Sequence, residues 1–169
     1  MQEQITHMND IVEYQLQRAA TAGASSSARS LNIKPVINRI LESLKKVYPD
    51  SSVTPHISVE HALTFKGDEG DLMELLGNLL DNAYKWAHQS VFITAERKEK
   101  KLLLRIYDDG PGIPPEHVKT LLQRGARADQ NIAGHGIGLS IVRNIVDAYQ
   151  GELIIRKSPQ GGAEIQIIL

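Results

Sequence analysis

Apolar residues return at three- and four-residue steps from the start of the chain. Ile5, Met8, Val12, Leu16 and Ala19 form one stripe and predict an amphipathic helix over residues 2–20. Such a helix does not stay folded alone, so its stripe calls for a partner helix, from a second copy or from sequence upstream. The stretch TAGASSSARS, residues 21–30, is small and polar and reads as a linker holding the domain boundary. Pro35 then opens a second helix. Val36, Ile37, Ile40, Leu41, Leu44 and Val47 make its apolar face, and Pro49 follows its end.

The pattern then shortens to strand period. Residues 53–59 read as a strand, with Pro55 suggesting a sheet edge. Residues 63–66 make a second short strand that ends at Gly67, and Asp68 can cap a helix running to about Ala87. Residues 91–96 alternate, RKEKK turns the chain, and residues 102–107 return as the second strand of a hairpin. Residues 108–115 form a glycine-proline turn, and residues 116–135 have little periodicity and read as a long mobile segment. A helix over residues 138–149 follows, with Ile141, Val142, Ile145 and Val146 expected in the core and Gly151 as its stop. Strands over 153–156 and 165–169 flank the turn SPQGG. Helices with mostly antiparallel strands predict an α+β fold, a two-layer α/β sandwich with an extra N-terminal helix.

The helix after Asp68 carries the first candidate chemistry. At about 100° per residue from Glu74, Asn78 falls near ~40°, Asn82 near ~80° and Lys85 near ~20°. Leu72, Leu75, Leu76, Leu79, Leu80, Ala83 and Trp86 occupy the opposite half. The plain alternative is a solvated face. Asn weakens that alternative, because it is a poor helix former with no advantage on an open surface. Two Asn one turn apart offer neutral oxygens to one point, which suits Mg²⁺, an oxygen-seeking ion that often shares its shell with phosphates. Lys85 is placed for a phosphate oxygen.

Two glycine motifs follow. Asp108-Asp109-Gly110-Pro111-Gly112-Ile113 comes after a strand. A simple turn explains such a run, since Asp and Gly are turn residues. The functional reading has Asp108 accepting a hydrogen bond from an exocyclic amine such as adenine's, with the glycines admitting a flat base. Gly134-His135-Gly136-Ile137-Gly138-Leu139 opens a helix, where glycines let backbone N–H groups face an anion; the alternative is a hinge. Leu139 stands where a dinucleotide fingerprint needs Gly, and no P-loop run is present.

Composition narrows the partners. The 169 residues include 19 Lys plus Arg against 20 Asp plus Glu, a balance that argues against a dedicated nucleic-acid binder. There is no cysteine, so disulfides and thiolate metal sites are excluded. No apolar run approaches the ~18 residues of a membrane span, and no signal segment opens the chain. A soluble, cytoplasmic piece is expected.

The sequence Asn78-Leu79-Leu80-Asp81-Asn82-Ala83-Tyr84-Lys85, then DDGPGI, then GHGIGL, then Gly161-Gly162 resembles the N, G1, G2 and terminal glycine boxes of sensor histidine kinases, in order and in spacing. NLLDNAYKWA, DDGPGIP and RGARAD look closest to the PhoQ-type members. The resemblance covers residues 31–169 and implies the Bergerat ATP-binding fold shared by the GHKL enzymes. It implies that Asn78 and Asn82 hold Mg²⁺, and that Lys85 and Arg127 meet the phosphates of ATP. Asp108 would bind the adenine amine beside Gly110, Gly112 and Ile113, and Trp86 would stack near adenine or ribose. Gly134, His135, Gly136, Gly138 and Leu139 would line the phosphate loop, and residues 116–133 would be the lid. Residues 1–20 resemble the second helix of the dimerisation hairpin, in a parent expected to be an inner-membrane homodimer that phosphorylates a response regulator.

Four departures from the family pattern stand out. Leu122 sits where the lid usually has Phe, His135 where PhoQ-type chains have Gln, and Ile132 in place of a second lid Arg. The acceptor motif, His followed by Glu, is missing, because the six histidines are followed by Met, Ile, Ala, Gln, Val and Gly. The chain is therefore expected to bind ATP without phosphorylating itself. Gyrase-type ATPases and sigma-factor-inhibiting serine kinases of the same fold carry a base Glu where this chain has Asn78. Water and serine need such a base, whereas a neutral imidazole already has a free lone pair. Glu74 lies one turn too early for that role and reads as solvated or supporting. The rival readings are a GHKL-type ATPase or serine kinase, and a degenerate module that only docks a regulator.

Overall fold

The computed structural model describes residues 29–122 and 136–169. The expected first helix, residues 21–28 of the linker, and Arg127, Ile132, Gly134 and His135 lie outside the described residues, as does the side chain of Leu122.

Ser30, expected in the linker, instead opens β1 (Ser30–Asn32), which pairs antiparallel with β3 (Thr64–Lys66) in a separate two-stranded ribbon. A three-residue strand has too little alternation to be read locally; only its partner defines it. α1 (Ile33–Val47) follows at once. Pro35 sits in its first turn, where no N–H is required, and Lys45 and Lys46 suit the negative end of its dipole. Ile33, Val36, Ile37, Ile40, Leu41 and Leu44 are buried. Val47, expected on that face, is 63% exposed. The stripe overruns the layer beneath it, and the next residue, Tyr48, packs against the core instead.

The main sheet has the order β2-β4-β5-β7-β6. β2 (Thr54–Val59) is an edge strand, as Pro55 suggested, and runs parallel to β4 (Ser90–Lys98). β4 and β5 (Lys101–Asp108) form the expected hairpin, with Lys98 opposite Lys101. β7 (Ala163–Ile168) lies antiparallel between β5 and β6 (Glu152–Lys157). One face carries Val91, Ile93, Leu104, Ile106, Ile155, Ile165 and Ile167, all buried. On the opposite face the rings of His56, Phe92 and Tyr107 stack across three strands at 4.7 and 4.8 Å, and Arg105 and Arg156 both donate to Gln166. Such cross-strand pairs stabilise a face that none of the described helices covers.

The helical layer is α1, α2 (Glu69–Trp86) and α4 (Gly136–Ala148), with α2 packed between the other two. The stretch expected to be aperiodic begins with a helix, α3 (Pro115–Leu122). In α4, Val142, Ile145 and Val146 are buried as expected, but Ile141 is only half-buried. The helix begins at Gly136, two residues earlier than the pattern suggested. Its stop also differs. Gln150 takes the left-handed turn (φ 55), and Gly151 serves instead for close approach, since a Cβ there would lie 2.5 Å from the Ile168 carbonyl oxygen.

Tyr149 joins the ends of two helices. Its hydroxyl donates to Asp71 Oδ2 at 2.8 Å and accepts from the Asp68 N–H at 3.1 Å. Its ring packs 5.2 Å from that of Phe65, and Gly67 leaves the space, because a Cβ there would come within 2.6 Å of the Tyr149 ring. Tyr149→Phe is expected to cost about 0.5–1.5 kcal/mol and to lower the thermal midpoint by a few degrees in a melting experiment, since it removes a hydroxyl bonded to both Asp71 and Asp68.

Candidate functional site

α2 owes its start to Asp68, whose side chain accepts from the Asp71 N–H at 3.0 Å. Its apolar half is Leu72, Leu75, Leu76, Leu79, Leu80 and Ala83, joined by Tyr84. Trp86, expected with them, is half-buried. That helical phase turns Glu74, Asn78 and Asn82 half out of the core and leaves Lys85 exposed. Burial, and secondarily Asp71, raises the Glu74 carboxyl above its ordinary range.

Asn78 is held by its own helix. Its Nδ2 donates to the Glu74 carbonyl at 2.7 Å, which orients Oδ1 as the acceptor side of the amide. A Cβ on Gly138 would lie 3.2 Å from that oxygen, so the glycine lets the first turn of α4 approach the Asn. The motif around residues 78–85 and the motif around 134–139 thus meet at one place. Leu139 contributes only backbone there, because its side chain is in the core at 2% exposure.

The second meeting point is the end of β5. Asp108 is 5% exposed, and its Oδ1 accepts from the Gly110 N–H at 2.8 Å. Burial pushes its carboxyl above the usual range, and N–H groups of Gly110 and Ala163 partly offset that. Glycines make the approach possible. A Cβ on Gly162 would fall 2.1 Å from Asp108 Oδ1, and one on Gly110 would fall 2.1 Å from the Trp86 carbonyl oxygen. Gly112 has φ +80, and its missing Cβ would sit 3.3 Å from the Gly162 carbonyl oxygen. The DDGPG turn and the Gly161-Gly162 turn therefore stack on each other, with Ile113 packed against the core.

Between these points lies a cavity. Leu79, Asn82, Ala83 and Trp86 of α2, Ile106 and Asp108 of β5, and Ala163 and Ile165 of β7 line it. Its lining, apolar walls with one buried carboxylate, has the chemistry that recognises a flat heterocycle offering an N–H donor. The acceptor oxygen of Asn78 and the amide of Asn82 lie along the same helix, which suits an oxygen-coordinated cation more than a caged one. Among the described residues no cluster of three His, Cys, Asp or Glu could hold a metal.

Sequence reasoning passed over several residues. The walls Leu79, Ala83, Ile106 and Ile165 read as ordinary core. Asp81 accepts from Tyr48 and Lys85, and its spacing of four from Lys85 was the available signal. Asp109 accepts from the backbone N–H groups of His88 at 2.8 Å and Gln89 at 3.0 Å, tying the end of α2 to β5. Burial alone would raise its carboxyl, but the N–H groups of Gln89, Ser90 and His88 outweigh it and hold it below the usual range. A depressed folded-state value stabilises above the unfolded pKa of about 3.9 and is lost as pH falls through the folded one. Asp109→Ala is therefore expected to melt lower than the parent at pH 7, with the gap closing below about pH 4 in a pH series of melts.

Residues 67–169 match the family described as histidine kinase-, DNA gyrase B-, and HSP90-like ATPase. The chain belongs to this ATPase family. As a member it is an ATP-binding domain, and the cavity lies inside the matched region. Among curated relatives it is 33% identical over 169 residues to the sensor protein PhoQ of Escherichia coli, covering 99% of this chain and 35% of that protein. It is 34% identical over 170 residues to the virulence sensor histidine kinase PhoQ of Salmonella typhimurium, again 99% and 35%. The chain thus spans about a third of the length of these relatives. Among solved structures, the mycobacterial sensor histidine kinase MprB superposes with a TM-score of 0.72 at 28% identity, covering 84% of this chain and 96% of that one. The catalytic domain of the histidine kinase ThkA shares the fold, with a TM-score of 0.71 at 19% identity over 83% of this chain and 93% of that one. No helix among the described residues is long and apolar enough to cross a membrane.

Proposed function

We propose that this chain is the ATP-binding catalytic part of a two-component sensor histidine kinase. It would transfer the γ-phosphoryl group of ATP to a histidine on a dimerisation hairpin, from which the group passes to a response regulator. The observation that carries the reading is the convergence of Asn78, Asn82 and the α4 N-terminus beside a cavity floored by Asp108, in a chain similar over 99% of its length to PhoQ. Asp108 would accept from the adenine amine, with Gly110, Gly112 and Ile113 closing around the base and Trp86 beside it. Asn78 and Asn82 would hold Mg²⁺, which when bound neutralises phosphate charge. Lys85, Arg127 and the backbone of Gly134, His135, Gly136, Gly138 and Leu139 would gather the remaining charge, so that catalysis is positioning and electrostatics. Residues 1–20 would be one helix of the hairpin and residues 21–29 the linker, and, with Ser30 already paired in β1, residues 30–169 the catalytic domain. In the parent, this part would be cytoplasmic, beneath an inner-membrane sensor, and dimeric.

The chemistry of the nucleophile supports histidine over water or serine. At the position where an ATPase of this fold needs a base, the chain has Asn78, whose amide nitrogen is engaged with Glu74. An imidazole attacks without deprotonation. One observation favours the ATPase reading: Glu74 is a half-buried carboxylate with a raised pKa on the same helix face.

The test is calorimetric titration with a non-hydrolysable ATP analogue, with Mg²⁺ and then with EDTA, followed by phosphotransfer to a separately supplied hairpin. Saturable binding in the micromolar range, roughly −8 kcal/mol, that weakens without metal and supports transfer to the hairpin is the expected result. Steady ATP turnover with no histidine substrate would favour the ATPase. A folded chain that binds no nucleotide would leave only regulator docking.

A further inference from the structure

Asp81 stands between Asn78 and Asn82 in sequence and lies on the same polar side of α2, turned toward Tyr48. On the helix it lies near ~340°, Lys85 near ~20°, and the two Asn at ~40° and ~80°. Its carboxylate is divided between two donors. Tyr48 Oη donates to Oδ1 at 2.7 Å, and Lys85 Nζ donates to Oδ2 at 3.0 Å. Tyr48 is itself held. It is the C-cap of α1, its N–H bonds the Leu44 carbonyl at 2.8 Å, and its ring lies 6.3 Å from that of the buried Tyr84. Burial and then the Asp81 bond push its hydroxyl up to about 12, so it remains a donor throughout the physiological range.

An exposed Lys–Asp pair one helical turn apart is worth little by itself. It returns less than the rotamer entropy a lysine loses on being ordered. Lys85 and Asp81 are 47% and 37% exposed, so the pair as such would be loose. What differs here is that a second helix anchors the acid. With Asp81 fixed from α1, only the lysine has to be ordered, and the acid holds its ammonium at 3.0 Å.

We propose that Tyr48, acting through Asp81, is a positioning residue that pre-orders Lys85 for the phosphates of the bound nucleotide. This rests on the reading above that Lys85 meets phosphate. It makes the end of α1, an element with no residue in the cavity, part of the phosphate-recognition machinery. It also predicts a signature that packing alone does not give: the effect scales with the phosphates of the ligand.

The experiment is calorimetry on the full chain with Mg-ATP and with adenosine, for Tyr48→Phe, Asp81→Asn, Lys85→Ala and the Tyr48→Phe/Lys85→Ala pair. Tyr48→Phe is expected to weaken Mg-ATP about three- to tenfold and to leave adenosine unchanged. Asp81→Asn should do the same, and serves if Tyr48→Phe does not fold. On the Lys85→Ala background, Tyr48→Phe should add nothing. Equal losses for ATP and adenosine, additive losses in the pair, or tighter ATP binding by Asp81→Asn would overturn the proposal. A loss in Lys85→Ala with none in Tyr48→Phe overturns it alone. No loss in Lys85→Ala overturns it together with the phosphate role of Lys85.

Discussion

Asp108→Asn is expected to weaken ATP binding roughly 10- to 150-fold, the value of a hydrogen bond to a charged group at about 1.5–3 kcal/mol, while making the chain melt higher at pH 7. The two effects have one cause. Asp108 is 5% exposed, and burial raises its carboxyl above the ordinary range. A raised folded-state pKa on an acid means that its contribution favours the fold below the unfolded value and is lost as pH rises through the folded one. At pH 7 the ionised group is therefore a cost, borne for recognition. Asn keeps an oxygen for the Gly110 N–H, 2.8 Å from Oδ1 in the parent, but removes the charge. The parent should also lose ATP affinity in acid at a pH above the usual aspartate range, and Asp108→Asn should flatten that profile. Calorimetry and thermal melts across pH check both. An unchanged affinity, or a lower melting point together with unchanged pH dependence, would sink the assignment of Asp108 as the recognition acid.

Asn82→Ala is expected to lose Mg-ATP affinity by at least about tenfold, near 1.4 kcal/mol, and to lose little of the affinity measured in EDTA. Asn82 lines the cavity and is half-buried on the polar side of α2. Ala is the better helix former, so the fold should not suffer. The comparison with and without metal separates a metal role from a steric one. Unchanged Mg-ATP affinity would remove Asn82 from the metal site. Asn78→Ala is a poorer first choice, because Asn78 also packs on Gly138 and its loss mixes chemistry with helix packing.

How much of this was legible depended on the reach of each signal. The phase of α2 was readable because eighteen residues average out local exceptions. Leu72, Leu75, Leu76, Leu79 and Leu80 are all buried, and Asn82 of the polar stripe lines the cavity. Pro55 marked the edge strand and Asp68 the cap, since the missing N–H of one and the side-chain oxygen of the other act on the backbone close by. β1 was not legible, because three residues gain strand identity only from their partner. Val47 and Ile141 were misjudged for a related reason: an apolar stripe says which way a residue points and not whether a neighbour is there to cover it.

Residue pattern by itself determined the order of elements apart from β1 and α3, the amphipathic phase of the long helices and the residue types available for chemistry, because these follow from backbone periodicity and local turn preferences. Tertiary structure alone decided which of them meet. It laid Gly162 on Asp108 across 54 positions and Gly138 on Asn78 across 60, and it brought Tyr48 to Asp81 across 33. Contacts between residues so far apart are set by how helices and sheet pack as whole bodies. No local propensity encodes that.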